Sequence, residues 1–186
     1  MSFYILIFDF YIFMASTFIN PGLILQQQLQ LRRDMTAADF GCGSGEWALA
    51  LAKILDHGKV WAVDLLEEPL SAARSRAKIA GLQNIEFVKG DIEKLVPRLP
   101  ADALDLVLMT NLLFQVGDIG AVFGEAKRVL KPGGKVLVID WKGDVRVGPA
   151  EKLPPEKAKE VAARAGFESI GEFDAGNFHY GLIFKK

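Results

Sequence analysis

Met35-Thr36-Ala37-Ala38-Asp39-Phe40-Gly41-Cys42-Gly43-Ser44-Gly45-Glu46 decides the fold. Met35–Phe40 is a short apolar run that ends in glycine, the pattern of a buried strand entering a tight turn. Glu46–Leu55 follows with Trp47, Leu51, Ile54 and Leu55 at helical spacing, and His57-Gly58 closes it, with His57 read as a C-terminal cap favoured by the helix dipole. Three alternate glycines, Gly41, Gly43 and Gly45, let the backbone turn sharply and approach a ligand with no Cβ between. The helix start beyond them offers free N–H groups. A dinucleotide loop would carry a further glycine where Glu46 stands, which argues against a nucleotide-dependent oxidoreductase. Asp39 before the glycines repels phosphate and suits a sulfonium or ammonium. The loop therefore favours a positively charged amino-acid nucleoside over a pyrophosphate.

The same alternation continues outward. Strands are expected at Lys59–Val63, Asn84–Val88, Leu104–Met109 and Lys135–Asp140. A helix is expected over Glu67–Ala80, with Pro69 in its first turn and Gly81 past its end. Another is capped by Asp118, and its stripe of Ile119, Val122, Phe123, Ala126, Val129 and Leu130 is stopped by Lys131-Pro132-Gly133-Gly134. A third opens at Pro154-Pro155-Glu156 and closes at Gly166. Phe167–Phe173 and Phe178–Phe184 flank Asp174-Ala175-Gly176-Asn177 and read as a hairpin. Alternating strands and helices impose parallel pairing with right-handed crossovers, and the closing hairpin adds one reversed strand at the far end of a doubly wound α/β sheet. Asn20–Asp34 suits a short helix outside the sheet, and Gly143–Pro155 is the one long loop.

Two more acids close strands. Asp64, about 20 residues past the loop, stands where a carboxylate accepts from ribose hydroxyls; the alternative is a helix N-cap. Asp91, in Val88-Lys89-Gly90-Asp91-Ile92, stands where it accepts from an adenine amino group with Ile92 beside the ring; the alternative is a cap for a helix over Ile92–Val96. Thr110-Asn111-Leu112-Leu113-Phe114-Gln115 follows the fourth strand and should face the reacting group. Asn111 is a candidate to bind the cofactor's amino group or orient an acceptor, or else a turn residue. Phe114 borders the pocket or packs in the core. Trp141 and Lys142 are candidates to wall an acceptor site. His179, beside Tyr180, is a candidate general base or a packing residue, on a strand expected at the far side of the sheet. Cys42 reads as packing, since no histidine neighbours it in sequence.

Composition bounds the rest. The chain has 186 residues, 51% apolar and 24% charged, enough for one compact domain. Net charge is −1 with no basic run, so no nucleic-acid partner is expected. The single cysteine excludes an intrachain disulfide and fits a cytoplasmic location, and no Cys/His cluster has metal-ligand spacing. Residues 1–19 read as an apolar extension ahead of a domain over 20–186. Its first basic residue is Arg32, so it lacks the positive start of a signal peptide, and Asp9 interrupts it. Three readings stay open: a non-native extension with the working chain starting near Met14, an apolar element packed on the domain or on a second copy, or membrane association. The last is not expected.

Asp39–Gly45, Asp64, Gly90-Asp91 and Leu130-Lys131-Pro132-Gly133-Gly134 together resemble the class I S-adenosylmethionine-dependent methyltransferases, over roughly Asn20 to Lys186. The chain is most similar to the small methyltransferase-domain proteins near the ubiquinone and menaquinone methyltransferases. The resemblance implies a Rossmann-like seven-stranded sheet of order 3-2-1-4-5-7-6 with strand 7 antiparallel and helices on both faces. It implies S-adenosyl-L-methionine as cofactor, with Gly41, Gly43 and Gly45 under the methionine part, Asp64 at the ribose and Asp91-Ile92 at the adenine. With the residue-level reading, the candidate cofactor set is Asp39, Gly41, Cys42, Gly43, Gly45, Asp64, Leu65, Asp91, Ile92 and Asn111; Asn111 and His179 are the candidate catalytic residues. Methyl transfer needs no protein nucleophile, which accounts for the lack of a nucleophile–base pair. Asp39 is a further candidate base if the acceptor must lose a proton. The expected acceptor is a small or lipid-like molecule, and the absent cysteines argue against arsenite. The alternative is a non-catalytic cofactor-binding module or partner subunit.

Overall fold

The computed structural model describes residues 19–186, so all but Ile19 of the apolar extension lies outside the described residues. The elements run α1 (Pro21–Gln28), β1 (Thr36–Phe40), α2 (Glu46–Ile54), β2 (Lys59–Asp64), α3 (Glu67–Ile79), β3 (Ile85–Lys89), β4 (Leu104–Thr110), α4 (Ile119–Val129), β5 (Leu130–Trp141), α5 (Pro155–Arg164), β6 (Glu168–Asp174) and β7 (His179–Lys185). They form one seven-stranded sheet of order β3-β2-β1-β4-β5-β7-β6. β1 pairs in parallel with both β2 and β4, and β7 runs antiparallel to β5 and β6.

Side-chain alternation divides the core in two. Phe40, Val107, Met109, Val136 and Val138 face one layer, with Val122, Phe123 and Ala126 of α4 and Ala158 and Ala162 of α5. Ala37, Ala62, Leu106, Leu108, Leu137 and Ile139 face the other, with Leu25 of α1, Trp47 and Leu51 of α2 and Leu70 of α3. Neighbouring residues of one strand thus enter opposite cores, which explains why the central strands read as unbroken apolar runs.

The hairpin ends in a different place from a simple reversed edge. β7 lies inside the sheet, buried from His179 to Phe184, while the more polar β6 takes the edge. At Gly181 the Phe173 ring of β6 lies across the strand, in the space a Cβ would occupy. Because β7 is reversed, its first residue His179 pairs with Trp141 at the carboxyl end of β5, not at the far side of the sheet.

Other boundaries shift for local reasons. Lys131-Pro132-Gly133-Gly134 does stop a helix, yet β5 already begins at Leu130 and the four residues bulge out of register between Leu130 and Lys135. Residues 92–96 form turns, not a helix. His57 does not cap α2, whose C-cap is Leu55; its backbone N–H donates to Arg33 O and its Nε2 lies 3.2 Å from the Arg33 guanidinium. Asp118 caps α4 as expected, with Oδ1 accepting from Ala121 N at 3.0 Å.

Phe123 is fully buried and meets Phe184 edge-on at 5.7 Å and Phe167 tilted at 5.8 Å between ring centroids. Replacing it with alanine should lower the unfolding free energy by about 3–5 kcal/mol in urea denaturation.

Candidate active site

In a parallel sheet every strand ends on the same edge, so residues distant in sequence converge there. The ends of β1, β2, β3 and β4 enclose a cleft of about 340 Å³, at the lower end of the sizes that hold a small ligand. Gly41, Gly43, Asp64, Leu65, Gly90, Asp91, Ile92, Leu112 and Gln115 line it, with Leu66, Pro69 and Val116 at its margin. A smaller cavity, about 170 Å³, opens at the amino ends of the strands, beside Lys131–Lys135. Its one carboxylate, Asp105, is already engaged by Lys131 Nζ and Thr36 N, so the glycine-loop cleft is the better candidate.

The loop is shaped by three left-handed glycines, Gly41, Gly43 and Gly45. A Cβ on Gly41 would strike Leu112 at 2.6 Å, and one on Gly45 would stand 2.9 Å from Ala73 Cβ. Gly43 differs, with nothing within 4 Å of that position. Gly41 and Gly45 thus serve close packing, while Gly43 leaves open a space in the cleft wall. Asp64 holds this arrangement. Its Oδ2 accepts from Gly43 N at 2.8 Å and its Oδ1 from Leu66 N at 3.0 Å, each oxygen retaining a lone pair. The N-cap of α3 is Leu66, so Asp64 supports the loop and is not a helix cap. Asp91 sits in a turn, Oδ1 accepting from Glu93 N at 3.0 Å, and Lys94 beside it holds its carboxyl below the usual range.

Four members of the candidate set lie outside the cleft wall. Gly45 and the buried Cys42 pack beneath it; burial, with Asp39 and Asp64 near, pushes the Cys42 thiol up and leaves it a poor nucleophile. Asn111 has a left-handed backbone at φ 51° and donates its N–H to Ile139 O, while its Oδ1 is buried without a partner. Asp39 is fully enclosed under the loop, and neither carboxyl oxygen has a hydrogen-bond partner. Burial drives its pKa up to about 8; Ala48 N–H pulls the other way without reaching hydrogen-bond geometry, and Asp64 adds to the rise.

A second group gathers at the ends of β5 and β7. The Trp141 and His179 rings pack at a tilt of 43°, 4.2 Å between centroids, and Gly148 lies against the indole. His179 is buried with Nε2 unpartnered, and burial, then the Lys142 charge, lowers its pKa to about 4, so the ring is neutral near pH 7. Lys142 pairs with Asp174 at 2.8 Å and so fastens the β6–β7 turn. The sequence reading passed over Asp140. This acid is buried at the end of β5, accepts from Leu113 N and Trp141 N, and is pushed up to about 6 by burial. Its signal was an acid closing the apolar run Val136–Ile139. Among the described residues no cluster of His, Cys, Asp or Glu is placed to hold a metal ion, and no helix is long and apolar enough to cross a membrane.

The cleft thus combines an open glycine face, a carboxylate bonded to that glycine and an orphaned buried acid below. Residues 31–164 match the family described as the methyltransferase domain, and the chain belongs to that family. Its sheet order, β3-β2-β1-β4-β5-β7-β6 with β7 reversed, is the one that the resemblance to the class I enzymes implies. Demethylmenaquinone methyltransferase of Geobacillus stearothermophilus is 29% identical over 117 residues, 62% of this chain and 49% of that one. The chain thus spans about half the length of the curated relatives it matches. A SAM-dependent methyltransferase from Aquifex aeolicus superposes with a TM-score of 0.78 at 27% identity, covering 90% of this chain and 89% of the other. The [4+2]-cyclase SpnF shares the fold at 19% identity, with a TM-score of 0.76 over 89% of this chain and 80% of its own.

Asp39 also sets a pH dependence. From the usual carboxylate range to about 8, the folded protein keeps a proton that the unfolded chain has released. The stability linked to that proton is complete below the unfolded pKa and is lost as pH rises through the folded one. Unfolding free energies of Asp39→Asn and wild type, compared by denaturation at about pH 5 and about pH 8, should shift in the variant's favour at the higher pH. A difference independent of pH would show that Asp39 does not hold this proton.

Proposed function

We propose that this chain transfers a methyl group from S-adenosylmethionine to a small, apolar, lipid-like acceptor. The observation that carries the reading is the open face of Gly43 beside Asp64, whose carboxylate is already oriented by the loop it faces. In this reading the Gly41–Gly45 backbone passes under the methionine part. Asp64 with Leu65 takes the ribose, and Asp91 with Ile92 takes the adenine. Asp39 supplies negative charge beneath the cationic end, by ionising when the ligand arrives. Asn111, with its unpartnered Oδ1, serves the cofactor's amino group or the acceptor.

When bound, the cofactor supplies an electrophilic methyl group and leaves as a neutral thioether. The Gly41–Gly45 loop, Asp64 and Asp91 would hold it, and methyl donation is the chemistry it would supply there. The protein's own contribution is alignment and the exclusion of water. Leu112 and Val116 give the cleft an apolar wall, and Leu65 and Leu66 give it an apolar rim. That lining and the demethylmenaquinone methyltransferase relatives favour an acceptor of the quinol type. Where such an acceptor must release a proton, neutral His179 is the candidate to receive it. The second reading is a cofactor-binding module without turnover, since a shared fold does not by itself fix the reaction.

Calorimetry should detect micromolar binding of S-adenosylmethionine and none of NAD. Asp64→Ala should weaken it by at least about tenfold, or 1.4 kcal/mol; unchanged affinity would overturn the site. Labelled cofactor incubated with a short-chain naphthoquinol should give label extractable into organic solvent, whereas binding without transfer to this or any acceptor in a metabolite extract would favour the module.

A further inference from the structure

The cleft has two walls that follow strands which are not neighbours in the sheet. Gly90–Ile92 follows β3, and Leu112–Val116 follows β4. The distance between them decides whether a ring held at Ile92 meets the apolar wall opposite. We propose that Glu93 is the positioning residue that sets this distance, by clasping the backbone of the opposite loop. Its Oε1 accepts from Gly117 N at 3.1 Å and its Oε2 from Asp118 N at 2.6 Å.

The clasp answers a need written into α4. Asp118 caps that helix through Ala121 N, but the reciprocal half of a capping box is absent. The third helical residue is Ala121, and no acid occupies the first turn, so nothing in the helix itself reaches back to the Asp118 N–H. Glu93 performs that half from another loop, where the helix dipole also favours its charge. Gly117 leaves room for it, since a Cβ there would stand 3.2 Å from Oε2. The far end of the β3–β4 connection is fastened separately: buried Glu125 accepts from Val96 N at 3.0 Å, and Arg128 donates to Leu99 O at 2.9 Å. Those two secure residues 96–99 to the body of α4. Glu93 alone acts beside Ile92, at the end that touches the cleft.

The proposal rests on the cleft holding S-adenosylmethionine, and the test separates the two. Affinity for S-adenosylhomocysteine is measured by calorimetry on wild type, Glu93→Gln and Gly117→Ala, with apo melting temperatures and amide exchange at Gly117 and Asp118. Glutamine can accept only one of the two N–H groups, and the added methyl crowds the carboxylate while keeping its charge. Glu93→Gln should weaken binding about tenfold, the scale for losing a charge-assisted contact that positions a site. It should also speed exchange at both amides while the apo protein stays folded. Gly117→Ala should move affinity and exchange the same way by a smaller factor, and it decides the matter if Glu93→Gln does not fold. Variants that bind within twofold of a binding wild type overturn the clasp alone. A wild type that fails to bind overturns the cofactor reading and the clasp with it.

Discussion

The bond from Gly43 N to Asp64 Oδ2 joins the loop after β1 to the end of β2, and the geometry of the cleft follows from it. A loop with three left-handed glycines has little conformational preference of its own. Its shape comes from contacts: Leu112 against Gly41, Ala73 and Leu49 against Gly45, and this carboxylate on the middle glycine. Parallel pairing of β1 with β2 brings Asp64 within reach, since Phe40 stands opposite Val63. The carboxylate that lines the cleft therefore also builds the loop beside it.

Below that surface the molecule stores unsatisfied polarity. Asp39 and Asp140 close β1 and β5, flanking β4 on either side, and burial raises both above the usual carboxylate range. Asp140 is spent on the backbone of Leu113 and Trp141, so it shapes the turn after β4. Asp39 has no such partner, and a buried carboxyl without hydrogen bonds is tolerated where function needs it. The contrast separates an acid that organises structure from one that has no partner in it.

Much of this was legible in the residues. The strand–loop–helix unit, the strand-end acids and the closing hairpin each have a local cause, in glycine spacing, apolar runs or turn residues. So Gly41, Gly43, Asp64, Leu65, Asp91 and Ile92 could be placed at the cleft before any coordinates. What escaped depends on contacts across long separations. Nothing near Glu93 announces that it completes a cap on a helix some 25 residues later, and the turn formers around Asp91 gave no sign that residues 92–96 would stay non-helical. The position of His179 failed for a related reason. A hairpin fixes that two strands pair, not which of them enters the sheet, and here burial decides it, with the more apolar strand inside.

The polar outermost strand has a consequence of its own. Any open sheet leaves a row of amide and carbonyl groups ready to recruit a further chain. On β6 the side chains flanking that row include Glu168 and Glu172, with Lys159 bound to the second, and only Ile170 offers an exposed apolar contact. A foreign segment laid along this margin would have to strip water from two carboxylates to gain one greasy neighbour. The border is in this way guarded against ribbon-like assembly, and the rim of strand ends at right angles to it, where the cleft opens, remains the place where the fold invites company.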